Sequence, residues 1–271
     1  MRKKHPYRLL SMLGATVLLL SGACFLYPYR NYYSISQEHP ELTMQPSDDD
    51  TLRIAFIGDS WAYLHESHSC QIAQMLSDTL HTRVSVISAG ENGATSKRIY
   101  DLLSFDSPLR KTLQTSPHYC VVSAGINDCN LKKGGDFYQE HMRLLADVLL
   151  QNHITPVFLE IPDYDIMGVY NRSGTLTRLR RRFSMLVTDS QKDCREQYRQ
   201  TLDDMLRKKN YTNRIVVLRK DLWNPLGIDD PRQLYLSDGI HLNERGYEIL
   251  DAAIARVIAA DYRQRQGFTS T

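Results

Sequence analysis

The sequence predicts an α/β fold: a three-layer α/β/α sandwich around a five-stranded parallel sheet, in the flavodoxin-like order 2-1-3-4-5. Three observations carry this reading. Short apolar runs alternate with longer segments at helical spacing, which implies βαβ units. The runs are apolar on both faces, as parallel strands covered by helices on each side must be. Each polar loop that stands out follows directly on a strand, and right-handed crossovers deliver all such loops to one edge of the sheet.

The elements read in order as follows. Ile54 to Ile57 forms the first strand, broken by Gly58 ahead of Asp59-Ser60-Trp61. A helix from Ala62 to Leu80 carries Leu64, Ile72, Leu76 and Leu80. Arg83 to Ser88 alternates Val and Ile with polar residues and makes the second strand, followed by a loop holding Gly90 and Gly93. A short helix spans Lys97 to Leu103. Tyr119 to Ala124 is a third, buried strand that ends in Gly125-Ile126-Asn127-Asp128. Met142, Leu145, Val148 and Leu149 line one side of a helix from Phe137 to Asn152, and Pro156 to Ile161 is the fourth strand. A polar helical region covers 175–209, Arg214 to Leu218 is the fifth strand, and Ile249, Ile254, Val257 and Ile258 mark a last helix from Glu244 to Arg263.

Residues 1–33 differ from the rest. Arg2, Lys3, Lys4 and Arg8 precede an uncharged stretch from Leu9 to Tyr29, near the ~20 residues that cross a bilayer. The basic end predicts a cytoplasmic N-terminus, an uncleaved signal anchor and an exported domain, periplasmic or extracellular. A cleaved signal peptide or a lipoprotein attached at Cys24 are the alternatives, making the chain secreted or lipid-anchored. Residues 34–50, with two prolines and Asp48-Asp49-Asp50, read as a linker, and 51–271 as the domain. A net charge of +2 from balanced signs gives no reason to expect nucleic acid. Cys24, Cys70, Cys120, Cys129 and Cys194 make no disulfide framework or metal spacing. His65 and His68 lie three apart without a third ligand and read as surface residues; no metal or organic cofactor is expected.

The site is read from loops that converge. A serine at a strand–helix corner usually caps the helix, but Asp238-Gly239-Ile240-His241 lies ahead of the last helix. An Asp three residues before a His accepts from ring Nδ1–H, fixes the tautomer and leaves Nε2 as a base. With Ser60 this supplies nucleophile (Ser60), base (His241) and orienting carboxylate (Asp238). The backbone N–H groups of Ser60 and Gly93 and the side-chain amide of Asn127 are the candidate oxyanion donors; Gly90 competes with Gly93.

These blocks resemble the SGNH hydrolases, also called GDSL esterases and lipases. Gly58-Asp59-Ser60, Gly93, Gly125-Ile126-Asn127-Asp128 and Asp238-Gly239-Ile240-His241 occur in family order across residues 52–260. Trp61 departs from the family, which has Leu there. The resemblance implies a two-step reaction: Ser60 attacks an acyl carbonyl with His241 as base, and water then hydrolyses the acyl-enzyme. The α/β-hydrolase elbow Gly-x-Ser-x-Gly fails because Ala62 replaces its second glycine. A degenerate glycan-binding domain would lack one of these residues, and all are present. An exported domain favours removal of short acyl groups, O-acetyl above all, from an envelope or extracellular carbohydrate. The alternatives are a lysophospholipase or lipase at the membrane surface and an acyltransferase. Arg172, Arg178, Arg180, Arg181 and Arg182 read as a solvated helix face, or else as an electropositive flap. Trp61 is expected either to wall off the acyl site or to face the core.

Overall fold

The structure, a computed structural model, describes residues 6–46, 49–65 and 71–267. It consists of two units, 1–35 and 36–271. The first is helix α1 (Pro6–Tyr33). The second runs β1 (Leu52–Gly58), α2 (Ser60–His65), α3 (Ile72–Leu80), β2 (Val84–Gly90), α4 (Ser96–Leu102), α5 (Pro108–Gln114), β3 (Tyr119–Ser123) and α6 (Ile126–Leu131). It continues through α7 (Gly135–Gln151), β4 (Thr155–Leu159), α8 (Ile166–Arg172), α9 (Thr175–Thr188), α10 (Arg195–Lys208), β5 (Val216–Leu218) and α11 (Glu244–Arg265).

The sheet has five parallel strands in the order β2-β1-β3-β4-β5, as the sequence predicts. Its central strands are the most apolar. Phe56 and Ile57 on β1, Val121 and Val122 on β3, and Val157 and Phe158 on β4 are all fully buried. Helices cover both faces, so these runs have no polar side to show. The strand order places the C-terminal ends of β2, β1 and β3 side by side, which is where the loops carrying Gly93, Ser60 and Asn127 emerge.

Three expectations change. The helix expected over 62–80 is two helices, α2 and α3, with Gln71 opening the second; residues 66–70, including His68 and Cys70, lie outside the described residues. The single polar region of 175–209 is likewise broken: Asp189 adopts φ 53° and ends α9 before α10 begins. His65 is not on the surface. It is buried, with Nδ1 on Ser88 Oγ at 2.7 Å and Nε2 on Asp251 Oδ1 at 2.9 Å, joining α2 to β2 and α11.

The expected membrane-spanning helix is not met among the described residues, where no helix is long and apolar enough to cross a membrane. Arg2, Lys3 and Lys4 lie outside the described residues. The stretch read as a linker is tied to the domain from Ser36 onward. Ser36 N donates to His141 Nε2 at 3.1 Å, Tyr100 Oη to the Glu38 carbonyl at 2.9 Å, and Gln45 N to the Gln114 carbonyl at 2.8 Å.

Candidate active site

The turn that carries Ser60 is built by close backbone approach. At Gly58 an added Cβ would lie 2.2 Å from the Ser123 carbonyl oxygen, so only glycine lets β1 close on β3 here. Asp59 follows and supplies the helix cap. Its Oδ1 accepts from Trp61 N at 3.0 Å and from Ser123 Oγ at 2.9 Å. The cap therefore comes from Asp59 and not from Ser60, whose hydroxyl points instead to His241.

His241 lies in a loop closed by the Tyr235–Leu242 bridge and by Leu236 N donating to the His241 carbonyl at 2.8 Å. Asp238 Oδ1 accepts from the amides of Ile240 at 2.9 Å and His241 at 3.0 Å. Its Oδ2 meets His241 Nδ1 at 2.6 Å, and His241 Nε2 meets Ser60 Oγ at 3.0 Å. Burial raises the Asp238 pKa, but the hydrogen bonds from the His241 ring and the two amides outweigh it and hold the carboxyl below its usual value. An ionised Asp238 accepts at Nδ1–H and leaves the Nε2 lone pair facing the serine.

The structure also separates the two candidate glycines. At Gly90 an added Cβ would lie 2.2 Å from Tyr63 N and 2.4 Å from the Asp59 carbonyl, so this glycine lets α2 pack on β2. Gly93 has φ +75° with open space where a side chain would be, leaving its backbone approachable. Asn127, in the first turn of α6, donates Nδ2 to the Ala94 carbonyl at 3.0 Å, which uses one of its two amide protons. Asp128 fixes the same junction by accepting from Ser96 N at 2.8 Å and Ser96 Oγ at 2.6 Å. Ser60, His241 and Asp238 are thus joined directly, and Asn127 is joined to the Gly93–Ala94 loop.

Sequence reasoning missed several supports. Trp61 is 1% exposed, its Nε1 donates to the Ile240 carbonyl at 3.1 Å, and its ring packs edge-on against Trp223. It faces the core and braces the His241 loop; a Leu, which has no donor, makes no such bond. Nor are all five arginines a solvated face. Arg172 Nη2 donates to the Asp238 carbonyl at 2.6 Å, and Arg181 is buried with Nη1 on Ser173 Oγ at 2.6 Å.

Asp59 carries a pH dependence. It is fully buried, Oδ2 has no hydrogen-bond partner among the described residues, and burial pushes its pKa up to about 6. Between roughly pH 4 and 6 the folded chain keeps a proton that the unfolded chain releases, so rising pH weakens folding through that window. Urea unfolding from pH 4 to 7 is expected to show a loss on the order of 2 kcal/mol that Asp59→Asn lacks. Parallel pH profiles for the two proteins would contradict it.

The site thus stands at the strand edge of a doubly wound, three-layer α/β sheet. Residues 56–249, well over half of the chain, match the GDSL-like lipase/acylhydrolase family. The chain belongs to that family and is a carboxylic ester hydrolase of the SGNH type. Solved structures share its fold. A GDSL-like lipase from Bacteroides thetaiotaomicron is 16% identical with TM-score 0.50, covering 87% of this chain and 97% of its own. A lipase/acylhydrolase from Enterococcus faecalis is 19% identical with TM-score 0.53, covering 77% and 95%. An acetyl xylan esterase is 17% identical with TM-score 0.50, covering 77% and 98%. No curated protein sequence matches the chain.

Proposed function

We propose that the chain is a serine esterase that removes short acyl groups, O-acetyl first, from a carbohydrate of the cell envelope or extracellular space. The observation that carries this reading is the unbroken path from Asp238 through His241 to Ser60, at 2.6 and 3.0 Å. Ser60 Oγ attacks the acyl carbonyl while His241 Nε2 takes its proton. The backbone N–H groups of Ser60 and Gly93 and the second Nδ2 proton of Asn127 receive the oxyanion. His241 then protonates the leaving alcohol, and water repeats the sequence on the acyl-enzyme. Asn127→Ala is expected to lower kcat by ~10²-fold with KM little changed; a change confined to KM would make Asn127 a substrate-binding residue instead.

The basic N-terminus and the uncharged stretch behind it support an exported domain anchored at a membrane. An acetyl xylan esterase shares the fold, which is in keeping with a carbohydrate ester.

A second reading, lysophospholipid or lipid esters at a membrane surface, is favoured by one feature. Helix α9 turns an apolar stripe outward: Leu176, Leu179, Phe183, Leu186 and Val187 are exposed, Leu186 by 84%. Arg180 and Arg182 flank it, the pattern of a helix lying in a lipid interface. Hydrolysis of p-nitrophenyl acetate and octanoate, with and without anionic vesicles, separates the two. The carbohydrate reading expects acetate to be turned over faster and vesicles to change nothing. Preference for octanoate with activation by vesicles would replace it with the lipid reading.

A further inference from the structure

Cys120, Cys129 and Cys194 are buried thiols of the domain. Cys129 lies in α6, in the turn that begins with Ile126 and Asn127, and Cys194 is the residue that opens α10. Their sulfurs are 2.8 Å apart, inside the contact distance of two non-bonded sulfurs. A bond of about 2.05 Å requires a further approach of less than about 1 Å. Neighbouring contacts hold both elements in this relation: Tyr198 Oη on α10 donates to the Asp128 carbonyl at 3.2 Å, and Lys132 Nζ to the Lys192 carbonyl at 2.6 Å.

We propose that Cys129 and Cys194 form a disulfide as the chain folds, closing a 65-residue separation and fastening α6 to the start of α10. Before the two helices close, either thiolate can begin the exchange. It displaces one thiolate from an external disulfide, either glutathione disulfide or an oxidising protein of the export compartment, and forms a mixed disulfide. The other cysteine then gives up its proton and attacks the protein sulfur of the mixed disulfide, and the second external thiolate leaves. The two protein thiols lose two protons and two electrons, and the external disulfide is reduced to two thiols. Cys129 and Cys194 are 0% and 1% exposed once folded, so the exchange takes place before α10 closes over α6. The bond holds the helix that bears Asn127, and no pattern of cysteine spacing announces it, because the partners are far apart in sequence.

The test refolds the full chain in a reduced and oxidised glutathione mixture, alkylates the remaining thiols, digests with trypsin and maps the peptides. The expected product joins the peptide Thr112 to Lys132 with Asp193 to Arg195. Because the first peptide also holds Cys120, the same product is expected from Cys120→Ala and is expected to vanish in Cys129→Ser. Reductant is expected to lower the Tm of the oxidised chain by about 5–15 °C and to leave the Cys129→Ser/Cys194→Ser chain unchanged. Recovery of both thiols alkylated without reductant in the folded chain, or survival of the linkage in Cys129→Ser, would overturn the proposal. None of these readouts depends on esterase activity, so they stand apart from the reading of the active site.

Discussion

Ser60→Ala is expected to lower kcat for p-nitrophenyl acetate by on the order of 10⁴-fold or more while the protein stays folded. Two parts of the structure set this expectation. The Ser60 hydroxyl is the group facing His241 Nε2 at 3.0 Å, so its removal leaves the base without a nucleophile to activate. Helix α2 is capped through Asp59 Oδ1 and the Trp61 amide, so its start does not depend on the lost oxygen. An unchanged circular dichroism spectrum and Tm should accompany the loss of rate. Activity within tenfold of wild type would move the nucleophile elsewhere.

The second large effect is Asp238→Asn, for which kcat is expected to fall by ~10³–10⁴-fold with KM nearly unchanged. Asp238 uses both oxygens as acceptors, one for the Ile240 and His241 amides and the other for His241 Nδ1. An Asn in the same place brings one donor and one acceptor to positions that each need an acceptor. If its oxygen keeps the two amides, its NH₂ faces Nδ1 and favours the tautomer with the proton on Nε2, which is useless as a base. The Asp238 side chain is 44% exposed, so its pairing with His241 is partly open to water and the expected loss sits below that of Ser60→Ala. A fall of less than tenfold would mean that the His241 tautomer is set by something other than Asp238.

The central strands and the joining of Ser60, His241 and Asp238 were legible for the same reason: both are written locally. Ile54 to Ile57 and Tyr119 to Val122 are apolar on both faces, and too short to be helices. Asp238 and His241 stand three apart, so one loop carries the pair, and Ser60 follows a strand directly. What was not legible depends on distant chain. His65 looked like a surface residue because its partner Asp251 is 186 positions away. Asp59 stood in plain view within its motif, but its capping role needs Ser123 and Trp61 placed around it. Trp61 showed nothing of its bond to the Ile240 carbonyl until the two loops came together. Helix α5 was missed although Ser107 and Pro108 are a serviceable start signal, because seven residues show too little periodicity. The apolar stripe of α9 was hidden among arginines that drew attention to charge.

The assignment of Ser60 as nucleophile is tested most directly by covalent labelling. The folded chain contains a second Ser-His-Asp set, Ser88, His65 and Asp251, joined at 2.7 and 2.9 Å, with its histidine buried and Nδ1 rather than Nε2 toward the serine. The active enzyme is reacted with a fluorophosphonate until hydrolysis stops, digested, and mapped by mass spectrometry. A single adduct on Ser60, forming in step with the loss of activity and absent from His241→Ala, is the expected result. An adduct on Ser88, or full inactivation with Ser60 unmodified, would contradict it.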